Sequence, residues 1–129
     1  MTEKLELYKC NICGNLVQVI LSGEGELVCC GQPMEHLIPH KEEENELAEK
    51  HTPEFEMIEG KRYVTLKHHP MEQEHYIQFI EVYKRDKSCL HLKYFNPDEK
   101  AEFDISCLDE DVEALELCNI HGLWEGKND

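Results

Sequence analysis

From Tyr63 onward, apolar and polar residues alternate in short runs. "RYVTLKH", "HYIQFIEVYK", "CLHLKYF" and "AEFDISC" are rich in β-branched and aromatic side chains, and turn material such as Arg85-Asp86-Lys87-Ser88 and Asn96-Pro97-Asp98 separates them. That pattern predicts short strands. In the fourth run Phe103, Ile105 and Cys107 alternate with Glu102, Asp104 and Ser106, which predicts a strand with one dry face and Cys107 as a core thiol. Cys89, after a polar turn, is expected to be partly exposed. Five or more strands without a convincing amphipathic helix predict an antiparallel β-sandwich.

The first forty residues read differently. "GNLVQVILSGEGELV" places two apolar segments around Ser22-Gly23-Glu24-Gly25, which predicts a β-hairpin with a glycine turn. A piece this small has too little core to stand alone, and a metal staple is the usual remedy. "PHKEEENELAEK" is polar and glutamate-rich, and it reads as a solvated connection. The expected layout is a metal-stapled domain over residues 1–38, a linker over 39–46 and the sandwich over 47–129.

Composition narrows the class. Of 129 residues, 40% are hydrophobic and 32% charged, the balance of a folded soluble chain and not a disordered one. No apolar run approaches the roughly 18 residues that span a bilayer, and "MTEKLELYKC" lacks the apolar stretch of a secretory signal. A cytoplasmic protein is expected, with no membrane partner. There, seven cysteines point to metal or catalysis before disulfides. The net charge of −15 argues against nucleic acid as a partner. It would also repel an anionic substrate, so a local cation would have to act against the global field.

Cys10-x-x-Cys13, fifteen residues, then Cys29-Cys30 supply four soft thiolate donors that suit tetrahedral zinc or iron. Adjacent cysteines diverge along an extended backbone, so binding one ion through both requires a twist, which Gly31 would permit. Spacing leaves iron and zinc both open.

The second half gathers five further donors: His51, one of His68 and His69, His75, Cys118 and His121. Cys118-Asn119-Ile120-His121 repeats the two-residue gap of a metal knuckle and precedes Gly122. His69 precedes Pro70, which holds it extended. Four imidazoles and one thiolate exceed a structural zinc site. Around an octahedral metal they leave one vacant position, which inner-sphere chemistry on a small molecule needs. His36, His40 and His91 read as ordinary polar residues.

Together, "CNIC…CC", "EKHTP" at 49–53, "HPMEQEHYI" at 69–77 and "CNIHGLW" at 118–124 resemble desulfoferrodoxin, the two-iron form of superoxide reductase, over nearly the whole chain. The resemblance implies a desulforedoxin-like domain followed by an immunoglobulin-like sandwich, as a homodimer with two mononuclear irons per chain. Cys10, Cys13, Cys29 and Cys30 match the ligands of the tetrahedral iron. His51, His69, His75 and His121 match the equatorial imidazoles of the catalytic iron, and Cys118 its axial thiolate. Glu49 and Lys50 match the acid and base beside the open position, Glu49 as a ligand of the resting ferric iron and Lys50 as the local cation. His68 becomes a bystander. The implied reaction is one-electron reduction of superoxide, with two protons, to hydrogen peroxide, with a rubredoxin-like donor. Two other classes stay on the table: an electron carrier without superoxide chemistry, and a zinc-stapled interaction module.

Overall fold

The computed structural model describes residues 1–41, 51–108 and 110–127. It divides into two units, Met1–Ile38 and Pro39–Asp129.

In the first unit β1 (Leu7–Lys9) is the middle strand of an antiparallel sheet, between β2 (Leu16–Gln18) and β5 (Glu35–Leu37). The expected hairpin across Ser22–Gly25 does not form. β2 pairs with β1 instead, while β3 (Val28–Cys29) pairs with β4 (Gln32–Pro33). The glycine turn is tied to the N-terminus: Thr2 N donates to Gly23 O at 3.0 Å, and the terminal amine to Gly25 O at 3.0 Å. A buried anchor explains the difference, because Leu7 on β1 and Val19 after β2 are the apolar residues the unit encloses besides Cys10.

The second unit is the expected sandwich. One sheet has the order β10 (Glu102–Asp104), β7 (Lys61–Thr65), β6 (Glu54–Ile58). The other has β12 (Gly122–Lys127), β11 (Val112–Cys118), β8 (Ile77–Lys84), β9 (Leu90–Tyr94). All the pairings are antiparallel. Val64 of β7, Ile80 and Val82 of β8, and Val112 and Ala114 of β11 fill the space between the sheets, with Leu66, Phe95, Ala101 and Ile105 contributed from connections. Cys118 lies at the edge of this same cluster, so the core grips one wall of the site. His40 also belongs to this unit. It forms a parallel bridge to Trp124, with His40 N donating to Leu123 O at 2.8 Å and Glu125 N to His40 O at 2.9 Å.

Cys107 departs from expectation: it is exposed. Pairing ends at Asp104, whose carboxylate accepts from Ser106 N at 2.9 Å, and Leu108 N then donates to Ile105 O at 2.9 Å. This turn breaks the alternation, so Ile105 stays inside and Leu108, not Cys107, packs against the core. Cys89 is exposed.

Candidate metal centres

The first cluster is built by two tight turns. Gly14 N donates to Cys10 O and Cys10 N to Asn15 O, both at 2.9 Å, which folds Cys13 back over Cys10. Across from it Cys29 pairs with Gln32, leaving Cys30 and Gly31 as the two turn residues, with φ of 52° and 76°. Positive φ at both positions is the two-residue hairpin geometry that matches strand twist. Cys30 therefore carries part of the twist itself, an uncommon conformation for a residue with a Cβ. The reward is that Cys10, Cys13, Cys29 and Cys30 bring their sulfurs within 4.8 Å of one another.

Four sulfurs bound tetrahedrally at about 2.3 Å stand about 3.8 Å apart. Cys13 and Cys29 sulfurs are 3.6 Å apart, and those of Cys29 and Cys30 3.9 Å. All four are free thiols, so the arrangement fits a metal ion. The backbone N–H groups of Cys13 and then Ile12 pull the Cys10 thiol down to about 6, favouring the thiolate a metal needs.

The second cluster sits at one end of the sandwich. His51 lies just ahead of β6, separated from it by Thr52 and Pro53. His69 follows β7 in a turn where His69 N donates to Leu66 O at 3.1 Å. This is not the extended run anticipated from Pro70, yet the outcome for the pair is clear: His69 is buried and His68 exposed. His75 closes a small bridge with Glu72 just before β8. Cys118 ends β11 at a register shift between Leu117 and Cys118, the kind of bulge that re-aims a side chain. His121 lies in the three-residue loop to β12, which Gly122 closes at φ 84°.

Asn119, which drew no attention in the sequence, staples this loop to the His75 turn. Its side-chain oxygen accepts from Tyr76 N at 3.0 Å, its amide donates to Glu74 O at 3.1 Å, and its own N–H donates to Tyr76 O at 3.2 Å.

The donor atoms of His51, His69, His75 and Cys118 lie within 4.8 Å of one another. His121 joins them with Nδ1 at 3.9 Å from Cys118 Sγ and its ring 4.8 Å from that of His51. The imidazoles meet mostly edge to face: His51–His69 at 78°, His69–His75 at 78° and His51–His121 at 80°. Rings so turned can each aim one nitrogen at a common point. Burial lowers the His69 pKa to about 4, which keeps its imidazole neutral, the form that binds metal. Burial also raises the Cys118 thiol, against the N–H groups of His121 and Ile120 that favour its thiolate. A buried thiol beside four imidazoles is well suited to give up its proton to a metal. Glu49 and Lys50 lie outside the described residues.

Trp124 is a further residue that sequence reasoning passed over. It is 1% exposed, stacks on His51 at 5.0 Å and 23°, and donates from Nε1 to His121 O at 3.1 Å. The signal was available in its being the chain's one tryptophan, three residues after His121.

A small thiolate-stapled unit and a β-sandwich with a four-histidine, one-cysteine pocket at its end define a two-centre, all-β metalloprotein. Family models agree: residues 2–37 match the desulfoferrodoxin N-terminal domain and residues 43–127 match desulfoferrodoxin. A desulfoferrodoxin homolog from Archaeoglobus fulgidus is 42% identical, covering 97% of this chain and 98% of that protein. The superoxide reductase structure from Treponema pallidum superposes with a TM-score of 0.70 at 24% identity, covering 98% of this chain and 100% of that one. A single-residue variant of the superoxide reductase (neelaredoxin) from Ignicoccus hospitalis gives 0.53 at 25% identity, over 68% of this chain and 89% of the other. The chain belongs to the desulfoferrodoxin family.

Proposed function

We propose that this protein is a superoxide reductase that converts superoxide, with one electron and two protons, into hydrogen peroxide at the second centre. The observation that carries this reading is the convergence of four imidazoles and one thiol, of which His51, His69 and Cys118 are buried. Iron held there would supply one-electron redox chemistry to a small anionic substrate. His51, His69, His75 and His121 would hold it through their imidazoles and Cys118 through its thiolate. Glu49 serves as a ligand in the resting oxidised state, and Lys50 offsets the −15 charge of the chain where the anion arrives. Cys10, Cys13, Cys29 and Cys30 hold the other iron.

We assign residues 1–38 and 47–129 as the two domains and 39–46 as the connection, whose His40 is laid against the sandwich by its bridge to Trp124; 42–46 lie outside the described residues. A rubredoxin-like carrier returns the electron. Val17, Ile20, Leu21 and Val28, all exposed on the first unit, support a homodimer, and seven free thiols support a cytoplasmic location. Among the described residues no helix is long and apolar enough to cross a membrane.

The deciding experiment adds superoxide to the reduced, iron-loaded protein. Stoichiometric oxidation of the centre with peroxide formed and no dioxygen is expected. Dioxygen evolution, or no oxidation, refutes the reading, and zinc at both sites in the native protein refutes every redox reading.

A further inference from the structure

Each turnover leaves the second centre oxidised, so an electron must reach it from outside. One structural feature beyond the ligand set touches both the pocket and solvent. Trp124 lies between two imidazoles: His51 on one side at 5.0 Å and 23°, and His40 on the other at 4.7 Å and 41°. Trp124 is 1% exposed and His51 likewise 1%, whereas His40 is exposed. The three rings thus form a continuous series of contacts from the surface to a candidate ligand, stacked at His51 and tilted at His40.

The series is also fixed in place. His40 is held by its paired backbone bonds to Leu123 and Glu125, and the indole by its bond to His121 O. Centroid separations near 5 Å are contact distances for aromatic rings. Contact between π systems is what outer-sphere electron transfer requires. Two of the three positions were not needed to explain metal binding.

We propose that His40 and Trp124 are the electron entry to the second centre, and that a one-electron carrier protein docks over His40. The proposal rests on the superoxide reductase reading. One electron leaves the reduced carrier, passes through the His40–Trp124–His51 series and is accepted at the oxidised site. The carrier is oxidised by one electron and the site reduced by one. No bond or proton changes hands in the series. His40 and Trp124 are positioning residues, since neither touches the substrate.

The test uses the full iron-loaded chain with reduced rubredoxin as carrier, comparing wild type with His40→Ala, Trp124→Phe and Trp124→Leu. Stopped-flow reduction of the oxidised site is expected to slow several-fold in His40→Ala and more in Trp124→Leu, with Trp124→Phe close to wild type. Superoxide oxidation of the pre-reduced His40→Ala protein should be unchanged, as should its iron content. Emission from the single tryptophan gives an independent readout: His40→Ala should alter its intensity if the rings are in contact.

Wild-type reduction rates in His40→Ala, or unaltered emission, overturn the proposal, and half-exposed His75 and His121 would then be the entry. Because His40 is exposed, its variant tests the route even if Trp124→Leu loses metal. Failure of the wild-type protein to react with superoxide, with normal reduction by carrier, refutes the function and leaves the route standing.

Discussion

His69 Nε2 lies 3.3 Å from Cys118 Sγ, although 49 residues separate them in the chain. A nitrogen at about 2.1 Å and a sulfur at about 2.3 Å from one ion stand about 3.1 Å apart across a right angle. The two atoms therefore already occupy adjacent corners of a coordination sphere. His69 is kept in that orientation by its other nitrogen, Nδ1, 2.6 Å from Pro70 O, the outer contact by which ligating histidines are usually aimed.

Replacing the sulfur tests this corner directly. Cys118→Ser puts a harder, less polarisable donor in the same place, and thiolate is what selects the softer metals. The expected result is loss of the visible absorption of the second centre and of most of its iron, with the four-cysteine centre intact. Metal analysis and the absorption spectrum check it. A spectrum identical to wild type removes Cys118 from the ligand set.

The first centre depends on the Cys30–Gly31 turn. Gly31 at φ 76° sits where a Cβ costs about 1–2 kcal/mol, although no neighbouring atom stands in its way. Gly31→Ala should therefore weaken metal binding at this centre by roughly tenfold without touching a ligand. Competition with a chromophoric chelator measures the change, and an unaltered affinity contradicts the role given to the turn.

A close approach in the second unit gives a third prediction. A Cβ on Gly126 would run into the backbone carbonyl of Pro53, which lies two residues after His51. Rigid backbone cannot give way as a flexible side chain does. Gly126→Ala should cost about 1–3 kcal/mol and disturb the second centre before the first. Thermal unfolding and iron content together check it: a lower Tm with selective loss of the second iron is expected.

What the sequence revealed and what it hid have physical causes. The strands over 61–65, 77–84, 90–94 and 102–104 fall inside alternating or β-branched runs, so their periodicity was readable. β11 was not, because "VEALELC" consists largely of good helix formers and buries Glu116 completely. Burial raises the Glu116 carboxyl well above its ordinary value, so a residue type that marks a wet face in sequence lies in the interior here. Cys107 was misplaced because alternation continued in the sequence beyond the last paired residue. The four thiols were legible from spacing alone. The five donors of the second site were ambiguous one by one, and the Pro70-Met71 context of the family motif is what distinguished His69 from His68. His40 gave no signal, since its significance lies in a bridge to a residue 84 positions away.

Acid stability provides a fourth prediction. Glu56 on β6 accepts from Thr65 Oγ1 at 2.9 Å and from Lys67 Nζ at 3.1 Å. These bonds, Thr65 first and Lys67 second, hold its pKa below the ordinary glutamate value. A carboxyl depressed on folding stabilises the fold fully above its unfolded pKa of about 4.3. That contribution is lost as pH falls through the lower folded value. Thr65→Val should raise the Glu56 pKa towards normal and remove part of the stability difference between pH 6 and pH 3. NMR titration of the Glu56 carboxyl reads the pKa directly, and an unchanged value would show that the Thr65 bond does not set it.

Lys50 is the residue proposed to reconcile an anionic substrate with a chain of net charge −15. It immediately precedes His51 in the sequence. A cation about 5–6 Å from the anion contributes at most roughly 3 kcal/mol at an effective dielectric near 20, and less where water screens it. The expected effect of Lys50→Ala is a slower bimolecular reaction with superoxide in pulse radiolysis, with both irons retained. Because the interaction is electrostatic, the difference between variant and wild type should shrink as ionic strength rises. Lys50→Arg should preserve most of the rate, since the charge stays. A rate that Lys50→Ala leaves unchanged at low salt would mean that the anion is drawn in by other groups, and Lys50 would then have no part in capture.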